Sequence, residues 1–168
     1  MRALARWLGL ASLSAPLTCL AQAPLSQVWI NPGFYSVHFD RNAGLEDANY
    51  GIGIEWPLTD MLSFTAGGYR NSERMTSHYV GMYVMPLEWK GFRFGVAVGG
   101  FDGYPRMNDG GWFPAVVPVV SYEHGRLGLN VGFIPEYKDR LNGAITFQLK
   151  FRFEAPPSAG AVAAQTSP

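Results

Sequence analysis

From residue 27 onward, apolar and polar residues alternate with period two, and no helix-spaced apolar stripe interrupts the alternation. Period two places successive side chains on opposite faces of an extended strand. Eight alternating segments can be counted, each roughly eight to twelve residues, the length a tilted strand needs to cross a bilayer. The last is the clearest. Ile145, Phe147, Leu149, Phe151 and Phe153 fall on one face, against Thr146, Gln148, Lys150 and Arg152 on the other. The seventh sets Leu127, Leu129, Val131 and Phe133 against Gly128, Asn130 and Gly132. In the second, Tyr50, Ile52, Ile54 and Trp56 oppose Gly51, Gly53 and Glu55, and in the fifth, Phe92, Phe94, Val96 and Val98 oppose Arg93, Gly95, Ala97 and Gly99.

The connections alternate in length. Short ones fall near 57–61, 88–91 and 124–126, and longer ones over 41–49, 71–77, 101–112 and 136–142. Short turns at one end and long loops at the other are what an outer-membrane barrel requires, with apolar residues facing lipid and polar ones the lumen. The expected fold is therefore all-β: an eight-stranded antiparallel transmembrane β-barrel over residues 22–153, in the outer membrane of a Gram-negative cell. A soluble lipocalin-like barrel would place the apolar face inside, and the run of small residues on the opposite face argues against it. Trp29, Tyr35, Trp56, Tyr69, Tyr79, Trp89, Trp112, Phe113 and Tyr137 are expected to form interfacial girdles at strand ends.

Two features bear on the lumen. Gly51, Gly53, Gly67, Gly81, Gly95, Ala97, Gly99, Gly128 and Gly132 occupy inward positions, and so many small residues would leave a slot fit for an acyl chain. The plainer reading, that glycines ease curvature and close strand packing, accounts for them equally well. Pro118 and Pro135 lie within adjacent segments six and seven. Proline donates no ladder hydrogen bond, so the pair predicts an unpaired seam in the wall, a sideways entrance for lipid.

The N-terminus adds a cellular address. Arg2 and Arg6, an apolar stretch from Trp7 to Leu20, and the small residues Ala21 and Ala23 follow the order of a secretory signal peptide, with cleavage expected after Ala21. The single cysteine, Cys19, lies inside that leader, so no disulfide is expected in the mature protein. Removing two of thirteen basic residues against thirteen acidic ones leaves a formal charge of about −2, which gives no electrostatic reason to expect nucleic acid. Residues 154–168, rich in Ala, Pro and Ser, read as a disordered tail.

The run FPAVVPVVSYEHGRLGLNVGFIPEY, residues 113–137, resembles the PagP family of outer-membrane lipid A palmitoyltransferases, including the seventeen-residue spacing of Pro118 and Pro135. WINPGFYSVHF is similar to that family's first strand, GFRFGVAVGG to its fifth and AITFQLKFRF to its last, so the likeness covers residues 27–153. The resemblance implies a lipid A acyltransferase that takes an acyl chain from a phospholipid donor and acts as a monomer without metal or cofactor. It implies a site of His38, Asn71 and Ser72, with His38 as general base or acid and Ser72 orienting the acyl acceptor.

The sequence departs from that family in three places. Asn71 stands where the family has Asp, and an amide cannot stabilise an imidazolium as a carboxylate does. Asp40 or Glu73 is then the candidate substitute. Tyr83 stands where the family sets acyl-chain length with an inward glycine, which implies a shorter slot and a shorter donor chain; a one-turn offset would make Gly81 the floor instead. The family's amphipathic helix before the barrel has no counterpart in Gln22–Gln27. Gly81, Tyr83, Pro118 and Pro135 are thus the candidate substrate-binding positions. Two other functions compete: a non-catalytic lipid-binding or structural barrel of the same ancestry, which Asn71 would favour, and a lipid A deacylase, for which Ser121 and His124 fall at the wrong end. The charged loop residues Asp102, Arg106, Asp109, Lys138, Asp139 and Arg140 read either as solvated loop faces or as contacts for lipid phosphates.

Overall fold

The computed structural model describes residues 27–138 and 140–153. The expected leader, with Cys19 and its cleavage site, and the tail lie outside these residues. Eight strands, β1 (Trp29–His38), β2 (Ala48–Pro57), β3 (Leu62–Arg70), β4 (Thr76–Trp89), β5 (Phe92–Phe101), β6 (Phe113–His124), β7 (Leu127–Ile134) and β8 (Ala144–Phe151), close into an all-antiparallel barrel in which each strand pairs with its sequence neighbour and β8 returns to β1. Residues 58–61, 90–91 and 125–126 join strands at one end, the turn end, and residues 39–47, 71–75, 102–112 and 135–143 join them at the other, the loop end. The β4–β5 turn has Lys90 and Gly91 both at positive φ, 50° and 82°, the backbone that matches a two-residue hairpin to strand twist.

Side chains are sorted inside out. Lys150, Gln148, Asn31 and Glu55 are buried at 1–3 % exposure, whereas Tyr50 and Ile52 on the outer face are 77 % and 70 % exposed. Every apolar residue assigned outward on the seventh and eighth segments does face outward. In the half of the lumen toward the turns this distribution is the reverse of a water-soluble sandwich, whereas Tyr83, Met85, Val117 and Val119 form an apolar cluster inside the other half.

The aromatic expectation needs correction. Trp29, Tyr69, Tyr79 and Phe113 point into the barrel and are buried, Tyr35, Trp89 and Trp112 are outward and exposed, and Tyr137, also exposed, borders the internal cavity. Strand parity explains the difference, because Tyr69 and Tyr79 share faces with the inward Gly67 and Gly81.

The lumen has two halves. Toward the turn end it is filled by a charge cluster: Lys150 Nζ donates to both Glu55 oxygens at 2.8 Å and to Glu123 Oε1 at 2.7 Å. Asn130 Nδ2 adds a bond to Glu55 Oε2 at 3.0 Å. The Trp29 ring lies against two cations, the Arg152 guanidinium 4.1 Å and Lys150 Nζ 4.9 Å from its centroid. A lysine is buried this fully only when paired, and here two carboxylates pair it. Toward the loop end the lumen is aromatic: Phe34 meets Tyr69 and Tyr79 at 5.0 and 5.6 Å between centroids, and Tyr79 stacks on Phe101.

The inward glycines do not open a slot. A Cβ on Gly81 would strike the backbone of Val98 and Gly99, and one on Gly95 the backbone of Val84 and Met85. These glycines let β4 and β5 coil tightly, the plainer of the two sequence readings. Gly53 and Gly67 instead leave room for the Tyr79 hydroxyl, and Gly128 for the Lys150 stem.

Two interfaces of the wall are interrupted: β1 and β8 pair at Ile30↔Phe151 and again from Tyr35↔Phe147 to His38↔Ala144 with a break between, and β6 and β7 part toward the loop end. β5 pairs with β6 along its whole length, from Phe92↔Tyr122 to Phe101↔Phe113, but β6 pairs with β7 only from His124↔Leu127 up to Val119↔Gly132. Above that rung Pro118 and the residues toward the loop end run unpaired beside Phe133, Ile134 and Pro135. The seam expected from sequence is therefore a gap in the hydrogen-bond ladder, with Pro118 inside β6 but Pro135 one residue past the end of β7 rather than within it.

Candidate functional site

His38 closes β1 and is 6 % exposed. Its Nε2 lies 3.0 Å from Ser72 Oγ, and its Nδ1 lies 3.1 Å from Asp47 Oδ1. A hydroxyl, an imidazole and a carboxylate in sequence form the relay by which a base is oriented and its protonated form stabilised. With Nδ1 facing a carboxylate, the proton belongs on Nδ1, and Nε2 is left as the acceptor facing Ser72.

Backbone contacts fix all three groups. The hairpin register that sets Tyr35 opposite Ala48 continues one step, so that Ser36 N–H donates to the Asp47 carbonyl at 2.7 Å. Ser36 Oγ donates to Asn49 Oδ1 at 2.7 Å. The Ser72 carbonyl accepts the Glu46 N–H at 2.9 Å, and Arg74 Nε reaches Glu46 Oε1 at 2.8 Å. Loops 39–47 and 71–75 are thereby tied together, and Arg41 Nη1 lies 3.4 Å from the second Asp47 oxygen.

Asn71 does not touch the imidazole. Its Nδ2 donates to Ser77 Oγ at 2.8 Å and to the Gly103 carbonyl at 2.7 Å, and its Oδ1 accepts the N–H groups of Glu73 and Met75 at 2.9 and 3.0 Å. Wholly buried, it uses every polar atom of its side chain to hold the loop that carries Ser72 against β4 and loop 102–112. The residue is a brace, and an amide suits it because two donors and an acceptor are needed. Neither expected substitute supplies the carboxylate: Asp40 accepts the Asn42 N–H at 2.9 Å, and Glu73 faces Arg106 at 3.6 Å. Asp47 was missed in the sequence because it sits at the edge of a loop, where no local pattern distinguishes it from solvated acids.

His38 and Ser72 stand at the mouth of an apolar cavity of about 510 Å³, within the range of small-molecule sites. Phe34, Tyr69, Tyr79, Phe101 and Phe113 wall it, and Val117, Val119, Ile134 and Pro135 extend it to the unpaired seam. Among the described residues lining it, Gly132 is the only glycine. Tyr83 lies at the bottom, its hydroxyl donating to Gln148 Oε1 at 3.1 Å, directly above the Glu55–Asn130 layer. Gly81 does not line the cavity, and Pro118 faces outward on the seam. Tyr104 covers the top from loop 102–112, 2.8 Å from the Tyr69 hydroxyl. Burial pushes the Tyr104 phenol up to about 12; the Tyr69 hydrogen bond opposes the rise and the Glu73 charge adds to it.

Ser121 and His124 stay apart from this arrangement: Ser121 is buried in the lumen toward the turn end, and His124 ends β6 there. No cluster of metal-ligating side chains occurs among the described residues. No protein-family model and no curated protein sequence matches the chain.

Proposed function

We propose that this protein is an outer-membrane acyltransferase that moves a fatty acyl chain from a phospholipid to lipid A, in the manner of the PagP family it resembles. The observation that carries the reading is the Ser72–His38–Asp47 relay at the mouth of an apolar cavity that reaches a gap in the barrel wall. The outward apolar band and the charge cluster buried in the lumen toward the turn end support a membrane location.

In this reading a donor phospholipid passes one chain sideways through the β6–β7 seam and seats it in the cavity, with its tip toward Tyr83. The ester carbonyl then lies at the mouth beside Ser72. The acceptor hydroxyl, oriented by Ser72, gives its proton to His38 Nε2 as its oxygen attacks the ester carbon. Asp47 stabilises the imidazolium so formed. The tetrahedral adduct collapses by breaking the bond to the glycerol oxygen, and His38 returns the proton to that oxygen, which releases a lysophospholipid. Tyr83 sets the depth of the slot. Each methylene that no longer fits forfeits about 0.8 kcal/mol of burial, which makes chain selection steep.

The test is transfer by the purified, folded barrel in detergent from phospholipid with an isotopically labelled acyl chain to lipid A. The expected result is labelled acyl-lipid A together with an equal amount of lysophospholipid. Lysophospholipid with free fatty acid and unlabelled lipid A would make the protein a hydrolase instead.

A further inference from the structure

Loops 102–112 and 135–143 flank the outer end of the β6–β7 gap, because one leads into β6 and the other leaves β7. Each contributes one arginine to a single cleft: Arg106 and Arg140 line it together with Pro105, Asn108 and Asp109, around a volume of about 430 Å³. We propose that Arg106 and Arg140 form a clamp for the phosphate of the donor glycerophospholipid as its chain threads the gap. The inference rests on the acyltransferase reading and adds to it a headgroup site at the seam.

The chemistry favours a phosphate. Guanidinium groups arriving from two loops offer planar forks that match tetrahedral phosphate oxygens. A donor's phosphate and its ester are joined through one glycerol unit, so a lipid held by its chain in the cavity carries its phosphate out at the rim, where these loops stand. Among the described residues, two carboxylates lie nearby. Asp109 lines the same cleft, and Glu73 faces Arg106 at 3.6 Å, wider than a charge-assisted hydrogen bond. Glu73 also follows Ser72 in the chain and lines the apolar cavity, so the contact links the clamp to the loop that carries the relay.

The test uses the full chain in neutral detergent with two chain-brominated lipids, phosphatidylglycerol and diacylglycerol, whose binding is read by quenching of tryptophan fluorescence. R106Q, R140Q and the double variant are compared after gel mobility shows them folded. The wild type is expected to bind phosphatidylglycerol more tightly than diacylglycerol, each substitution to weaken that binding about tenfold, and the double variant to lose the preference. In the transfer assay the donor KM should rise in parallel while kcat and the lipid A KM hold. Equal wild-type affinity for the two lipids, or an undiminished preference in the double variant, overturns the clamp. A rise confined to the lipid A KM also overturns it, by moving the arginines to the acceptor. An arginine-dependent preference without acyl transfer would uphold the clamp while removing the acyltransferase reading, and transfer indifferent to both arginines would do the reverse.

Discussion

Replacing Asn71 by Asp separates the two accounts of that position. If Asn71 stood in a catalytic acid's place, N71D would supply a missing carboxylate and raise activity. The structure leads to the opposite expectation. Asn71 Nδ2 donates to Ser77 Oγ and to the Gly103 carbonyl inside a fully buried pocket. A carboxylate donates to neither. The Ser77 hydroxyl can turn and donate instead, but the Gly103 carbonyl would face an anionic oxygen at contact distance. One buried acceptor left unsatisfied costs about 1–3 kcal/mol, and the repulsion adds to it, so a loss of about 2–4 kcal/mol at neutral pH is expected. The introduced acid escapes by protonating, since a neutral carboxyl can donate to Gly103. Its folded pKa is thus raised above the unfolded value near ~3.9. The neutral form then contributes fully below that value, and the contribution is lost as pH rises through the folded pKa. The assay is urea unfolding of the barrel in micelles, followed by gel mobility and tryptophan fluorescence at acid and neutral pH, with acyl transfer measured alongside. N71D should be less stable at pH 7, recover in acid, and transfer more slowly because Ser72 is no longer braced. A variant as stable as wild type and faster would refute the reasoning.

Three other outcomes follow from the lumen and its cover. K150M strands Glu55 in the interior and should cost about 3–5 kcal/mol in urea titrations; adding E55Q should recover part of the loss, and failure to recover would remove the ion pair as its cause. Y83A removes the ring above Gln148 and should shift donor preference toward longer acyl chains in competition assays, whereas unchanged preference would place the floor elsewhere. The Tyr104 phenol should ionise near 12 in a spectrophotometric titration compared with Y104F, above the usual ~10. Because its folded pKa is raised, its contribution to stability holds below the unfolded pKa near ~10 and fades as pH climbs through 12.

Strand-level order was legible because a barrel wall has one variable, which face each residue takes, and alternation encodes it directly. Thus Lys150 and Gln148 were placed inside from parity alone, and Pro118 and Pro135 located the gap. Parity also turns Tyr69 and Tyr79 inward, against the general preference of aromatics for interfaces. The glycines leave two readings open because the same residue serves two ends, and only the packing of Gly81 against β5 shows which one applies. The carboxylate of the relay was the least legible part. Asp47 reaches His38 through a hairpin register and a bond between two loops, while the family resemblance points to Asn71. Neighbours in sequence at a loop end are not neighbours in space.

In the proposed reaction Ser72, His38 and Asp47 act together on an acyl ester. Mass spectrometry of lipid A from a PagP-deficient Gram-negative host expressing this protein, beside H38A, S72A and D47N variants shown to be folded in the outer membrane, tests it most directly. One added acyl mass is expected with the wild-type chain, lost with H38A and S72A, and reduced by about 10⁴-fold with D47N, as when an imidazole loses its orienting carboxylate. Added mass that survives D47N undiminished, or no added mass from a folded wild-type barrel, would contradict it.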